Sequence, residues 1–425
     1  MKSMAEAIKR TETLPARVNM LLKKGVRMTA PFSVEIGEEV NLEQIDASLT
    51  IYGAARIRGE NTVISANVKL GHEAPVTVID CKLGREVELR GGYFAGSVFL
   101  DHVVMGSGAQ VRPGCLLEEQ SSANHTVGLK QTILFPYVTL GSLINFCDCL
   151  MAGGTSRKNH SEVGSSYIHF NYTPQQDKAT PSLLGDVPRG VMLRESPIFL
   201  GGQGALVGPV QIAYGTVISA GVICRKDCPT EGKLVSAPPR PAATRKYYPG
   251  IYSDVSRKVA ANITYIANLL ALRQWYRWTR REFFVRDKYD EFLYAGAQKV
   301  LDEAVAERIR QMKIFAQNVD KSAVKEKEIK NGFSVKAWDS QVKFRRCWPA
   351  MEDYLAGGYE EKVSLRKKES FFEIMQKQSG GHVSYLDAVK LLTSLQAQKG
   401  SAWLNDIIEE TVSVCLGFSG AQRKR

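Results

Sequence analysis

Six histidines stand in the 425-residue chain. His125, His160 and His169 lie in or beside one irregular stretch, Met151 to Pro197, where Arg157, Lys158, Asn159 and Tyr167 also gather. Histidine exchanges a proton near neutral pH without heavy tuning. The cluster therefore points to general acid–base chemistry, with His160 and His125 as candidate bases. A backbone N–H at Gly153 or Gly154 is a candidate donor to a developing oxyanion. Lys130 follows His125 by five residues and would share its cleft if the chain turns between them. The plainer reading of these residues is a set of solvated corner side chains.

Other chemistries find less support. The eight cysteines are scattered, mostly on apolar positions, and Cys147-Asp148-Cys149 has no second pair at ligand spacing. They read as reduced core thiols, and no metal is predicted. The formal net charge of +12 favours an anionic partner. A basic cleft for phosphates explains it as well as nucleic acid does, and no helix-turn-helix, RNP or zinc-finger signature supports the latter. No run of about 18 apolar residues is present, so no membrane span is predicted. The first residues have no apolar core of a secretion signal, which predicts a cytoplasmic protein.

The elements that must position these residues are set by a six-residue period. Leu200, Leu206, Ile212, Ile218 and Cys224 recur in strict register, separated by glycines and small residues. That period fits neither a helix nor a simple strand alternation. It fits a solenoid whose flat faces are short strands and whose corners are tight turns. Ile45, Ile51, Ile57 and Val63 share a register, as do Val127 with Ile133 and Leu140 with Phe146. The expected organisation is an N-terminal helical segment over 1–31 and a solenoid over 32–228, with irregular loops at 151–197. A Pro-rich linker over 229–250 and an α-helical domain over 251–425 follow. In that domain Val255, Val259, Ile263, Ile266 and Leu270 form one apolar stripe continuing past Trp275 and Trp278. A second helix carries Leu301, Val305, Ile309 and Met312; later helices start near Ser384 and Ser401. Lys321 to Lys343 is charged and weakly patterned, predicting loop with a strand or two.

Phe199 to Asp227 resembles the closing coils of the left-handed β-helix, hexapeptide-repeat acyltransferases. Leu-Val-Gly-Pro-Val (206–210) and Ile-Ser-Ala-Gly (218–221) carry the likeness. So do Asn124-His125-Thr-Val-Gly-Leu-Lys130, Met151-Ala-Gly-Gly-Thr155 and Asn171-Tyr172 followed by Lys178. The chain is most similar there to the acetyltransferase half of the bacterial bifunctional UDP-N-acetylglucosamine pyrophosphorylase/glucosamine-1-phosphate acetyltransferases. The likeness extends from Asn124 to Asp227, and as bare hexapeptide repeat from Phe32. It does not reach the helical half.

The resemblance implies a left-handed parallel β-helix, a homotrimer, and acetyl-CoA or another acyl-CoA as co-substrate bound between subunits. It implies a sugar phosphate or nucleotide sugar as acceptor. Lys130, Asn171, Tyr172 and Lys178 fall on acceptor-binding positions, and Gly202 and Ala220 on backbone positions lining the acyl-CoA site. Tyr137 aligns with the catalytic histidine of the family, which would make it a pocket wall. Asn159-His160 offers a second register for the same element. Residues 1–123 lack the Gly-rich phosphate loop of the nucleotidyltransferase half, so pyrophosphorylase activity is not expected. Two functions stand: an acyltransferase acting on a sugar phosphate or nucleotide sugar, and a non-catalytic solenoid scaffold binding a sugar nucleotide or a protein partner.

Overall fold

The computed structural model describes residues 14–237, 241–244, 247–328, 335–357, 365–379 and 383–418. Its first half is a parallel β-solenoid of triangular section. Strands on face 1 stack in one eleven-stranded sheet from Arg27–Met28 to Leu234–Val235. Faces 2 and 3 merge into a second, sixteen-stranded sheet. Two long strands, Gly128–Leu134 and Asn145–Met151, join them by running through the corner between the faces. Gln131 and Asp148 take that corner at φ 47° and 58°.

Each face contributes one inward side chain per coil, because neighbouring strand residues point to opposite sides. Ile51, Leu70, Leu89, Met105, Leu140, Val163, Leu200 and Ile218 form such a column behind face 1, all fully enclosed. Two registers differ from the sequence reading. Val63 pairs with Lys82, and Ile133 with Leu116, so both point outward while Ile64 and Leu134 take the axis. Ile64 follows the inward Ile57 by seven residues and Leu134 follows the inward Leu129 by five, so neither corner keeps the period of six and the phase shifts.

Eight helices lie among the described residues. α1 (Ala16–Lys24) caps the first coil and α2 (Val187–Gly190) sits at a corner. The rest form the helical half: α3 (Ser256–Trp278), α4 (Asp290–Glu328), α5 (Val335–Ala356), α6 (Leu365–Ser379), α7 (Tyr385–Leu391) and α8 (Ser394–Phe418). The charged stretch from Lys321 is helix at both ends. Met312, Phe315, Val319 and Ala323 keep a buried stripe at helical spacing, so the charges ride on the outer side. Residues 329–334 lie outside the described set. α8 starts at Ser394, before Ser401, because Thr393 and Gln396 cap it reciprocally: Gln396 N–H donates to Thr393 Oγ1 and Thr393 N–H to Gln396 Oε1.

α3 and α4 lie on face 3 as an antiparallel pair. Along α3 the solenoid partners move back up the stack. Arg257 donates to Pro209 O (2.8 Å), Asn262 to Ala179 O (2.9 Å), and Tyr276 to Glu118 (2.5 Å). α4 starts where Arg85 meets Asp290 (3.0 Å) and returns to Asp148 through Arg308 (2.7 Å). Face 3 was built for this cover. Its outward residues Val63, Val98, Leu116, Ile133, Leu150 and Leu183 are all buried. Trp275 and Tyr276 are packed inside, with Phe371, Tyr385 and Trp403 around Trp275.

Candidate functional site

Face 1 stays open. An exposed groove of about 600 Å³ runs along it and is lined by Glu73, Arg90, Asn124, His125, Ser142 and Arg157. One edge is the corner turning to face 2. There His125 and Ser142 occupy successive coils, and His125 Nδ1 lies 2.8 Å from Ser142 Oγ. When Nδ1–H donates to that oxygen, the Nε2 lone pair is left for a proton. Arg90 on the same edge is paired with Glu73 and Glu88, each at 3.2 Å.

The opposite edge is the corner arriving from face 3. It carries an antiparallel hairpin, Gly154–Ser156 with Asn159–His160. The turn into it needs glycine: a Cβ on Gly154, at φ 100°, would stand 2.5 Å from His160 Cα. From the hairpin tip Arg157 folds back over the face. Its Nη1 donates to Gln120 O (2.9 Å), Tyr137 O (3.0 Å) and Thr139 Oγ1 (3.0 Å), and Nη2 to Ser122 Oγ (3.3 Å). Carbonyl and hydroxyl oxygens fix this guanidinium. No carboxylate pairs with it among the described residues, so its positive charge is uncompensated beside the groove.

Asn159 is exposed and donates to Thr155 Oγ1 (3.0 Å). His160 is half-buried; its Nε2 lies 4.0 Å from Glu162, and its enclosed Nδ1 has no hydrogen-bond partner. Tyr137 is 1% exposed with its hydroxyl enclosed and unpartnered, and Lys390 Nζ stands 5.1 Å over its ring. The Gly154 N–H donates to Glu195 O (3.0 Å), so of the two expected oxyanion donors this one is committed to the backbone.

Gly202 and Ala220 lie on the same edge as His125, further along the stack. With coils spaced about 4.8 Å apart, three steps separate His125 from Gly202, or roughly 14 Å. Gly202 stacks on Ser165, whose carbonyl would be 2.8 Å from an added Cβ. Lys130 points out from face 2 and is exposed. Asn171, Tyr172 and Lys178 lie at the corner between faces 2 and 3. One copy of the chain therefore gathers His125, Gly202 and Ala220 along one edge and Asn159 and His160 along the other edge of face 1. It keeps Asn171, Tyr172 and Lys178 at the remaining corner.

His169 leaves the cluster altogether. It is buried on an inward position, with Nδ1 2.5 Å from Cys147 O and Nε2 2.8 Å from Ser182 Oγ. Burial pushes its pKa down to about 4, so it is a neutral packing residue. Within the stretch from 151 to 197, Glu162–Val163, Ile168–Phe170 and Ser182–Leu184 are ordinary coil strands. The residues that leave the stack are those of the hairpin before Glu162, the segment 171–181, and the residues from 185 to 198 that include α2. All eight cysteines are free, and burial raises the Cys81 and Cys115 thiols to about 12. Among the described residues no group of three metal-ligating side chains converges, and no helix is long and apolar enough to cross a membrane. Ser142 was not among the expected site residues. Its signal was its distance from His125, one coil along the chain.

The class is thus a parallel β-solenoid with one face sealed by helices and an open groove on another. No protein-family model matches the chain. It is similar to bifunctional protein GlmU of Thermotoga maritima, 26% identical over 214 residues, covering 50% of this chain and 42% of that protein. GlmU of Lawsonia intracellularis is 26% identical over 213 residues, covering 50% and 41%. GlmU of Nitratidesulfovibrio vulgaris is 25% identical over 252 residues, covering 56% and 48%. The chain spans less than half the length of the curated relatives it matches, and its solenoid is the fold that this likeness leads one to expect.

Proposed function

We propose that the chain is an acyltransferase that moves an acyl group from acetyl-CoA or another acyl-CoA to a sugar phosphate or nucleotide sugar. The observation that carries this reading is the 2.8 Å His125–Ser142 pair in the open groove, beside the uncompensated guanidinium of Arg157. A fixed guanidinium suits a phosphate oxygen. A histidine held by its Nδ1 suits proton transfer at Nε2. The likeness to GlmU proteins supplies the reaction class.

In the proposed reaction His125 Nε2 takes the proton of the acceptor's amine or hydroxyl as that atom attacks the thioester carbonyl. The new C–N or C–O bond forms, the C–S bond breaks, and the proton leaves with the CoA thiol. A backbone N–H such as that of Gly153 would meet the oxyanion. Gly202 and Ala220 would line the acyl-CoA path down the same edge. Lys130, Asn171, Tyr172, Lys178 and Asn159 would meet the acceptor, His160 is the alternative base, and Tyr137 backs the hairpin. These residues occupy different corners, so a complete site needs more than one copy. A cytoplasmic homotrimer meets that need. Its contacts would use the uncovered faces, where Ile168, Phe170, Phe199, Val217 and Ile223 are exposed.

The test is release of free CoA from acetyl-CoA against a panel of sugar phosphates and nucleotide sugars. His125→Ala is expected to lower the rate roughly 100- to 10,000-fold. His160→Ala is expected to leave most of it. Absence of CoA release with every acceptor would end this reading, and loss confined to His160→Ala would move the base across the groove.

A further inference from the structure

The corner segment 171–181, between strands Ile168–Phe170 and Ser182–Leu184, is held from outside the solenoid. Tyr247 donates to Pro174 O (3.1 Å), Gln175 Nε2 to Ile251 O (3.1 Å), and Asn262 to Ala179 O (2.9 Å). The fully enclosed Asp177 accepts from Lys258 (3.1 and 3.3 Å) and from the Tyr252 hydroxyl (2.9 Å). Every one of these partners lies in residues 247–252, just ahead of α3, or in α3 itself.

α4 adds the buried centre of this clamp. Arg308 is 3% exposed, and so is Asp148. Arg308 Nη2 donates to Asp148 Oδ1 (2.7 Å) and to Gln131 Oε1 (3.4 Å), and Nη1 to Lys178 O (3.1 Å). The other carboxylate oxygen of Asp148 accepts from Asn171 Nδ2 (2.8 Å). A carboxylate only accepts, so the Asn171 amide must present its NH₂ group to it. The amide oxygen of Asn171 then faces away from Asp148 and is left for a donor such as a sugar hydroxyl. Both ends of the segment thus meet one guanidinium, Lys178 directly and Asn171 through Asp148.

We propose that Arg308 is a positioning residue for the acceptor-side segment 171–181, so that the helical half is a working part of the site and not an appendage. This rests on the acyltransferase reading for what the segment binds, but not for what holds it. Lysine keeps the charge and loses the planar fork that reaches Asp148, Gln131 and Lys178 together. Hydrogen exchange of the full-length protein, wild type against Arg308→Lys and Arg308→Gln, reads the holding directly. Faster exchange confined to 171–181 is expected in both variants, larger in Arg308→Gln. Unchanged exchange there overturns the proposal. So does acceleration spread equally over the solenoid strands, which would make Arg308 a general support. In turnover, the acceptor KM is expected to rise by about tenfold or more in Arg308→Lys while the acyl-CoA KM barely moves. An unchanged acceptor KM in an active protein also overturns it. A wild type without turnover ends the acyltransferase reading, and exchange alone then decides the role of Arg308.

Discussion

Faces 1 and 3 are built from the same coil, yet their outward residues obey opposite rules. On face 3 six of them, Val63, Val98, Leu116, Ile133, Leu150 and Leu183, are apolar and buried, with the half-buried Lys82 and Gln211 in the same row. On face 1 they include Ser122, Thr139 and Glu162, half-buried, and then Phe199, Val217 and Leu234, up to 71% exposed. The inward column is indifferent to this contrast; every face needs it to close the prism. The outward residue therefore decides a face's fate. Apolar at most coils, it recruits the chain's own helices; polar over the groove, it leaves a surface for chemistry.

Substitutions that treat the faces alike should separate them. Leu116→Ala or Leu150→Ala removes an outward side chain under the helices and is expected to cost about 2–5 kcal/mol by denaturant unfolding. Near-neutral values would mean that the cover is loosely seated. Gly296 of α4 comes next. A Cβ there would meet Lys82 Cγ at 2.8 Å and Val98 Cγ2 at 3.2 Å, so Gly296→Leu is expected to overpack the seam by about 1–3 kcal/mol. The seam also encloses an acid. Glu118 accepts the Tyr276 hydroxyl at 2.5 Å, and burial raises its pKa to about 7. A carboxyl that holds its proton more tightly when folded makes the folded state lose stability as pH rises from about 4.5 toward 7. Glu118→Gln is expected to flatten that slope in melting temperatures measured across the window, and an unchanged slope would place the titration elsewhere. The smallest effect belongs to face 1. Val104→Thr is expected to stay within about 0.5 kcal/mol of wild type, and a larger loss would show that something covers the groove.

The solenoid was legible because its period is carried by single enclosed residues, from Ile45 to Cys224. The helices were legible where a stripe ran clean, as from Val259 to Leu270. Val63 and Ile133 were misphased, since both residues of those dipeptides are apolar and the period alone cannot choose between them. That same doubling announced the cover: Val63-Ile64, Val98-Phe99, Leu116-Leu117, Ile133-Leu134, Leu150-Met151 and Leu183-Leu184 all sit on face 3. His169 resembled a site residue by type and neighbours, yet strand phase turns it inward. His125 and Ser142 are neighbours only when the chain is folded into rows one coil long. The tie from Arg308 to Asp148 spans 160 positions and rests on a helix docking that no local pattern encodes.

The sealing of face 3 also has a history within each molecule. Coils can stack as soon as they are synthesised, because each touches only its neighbours. Their cover comes from residues beyond 255, which are made after them. At roughly 5–20 residues per second, the interval from Leu183 to Met312 lasts on the order of ten seconds. Throughout it, a stack with one apolar wall waits without its helices. The nascent chain passes through a stage at which it is already a solenoid but not yet fit for water, and that stage is where a chaperone, or a second unfinished chain, would meet it.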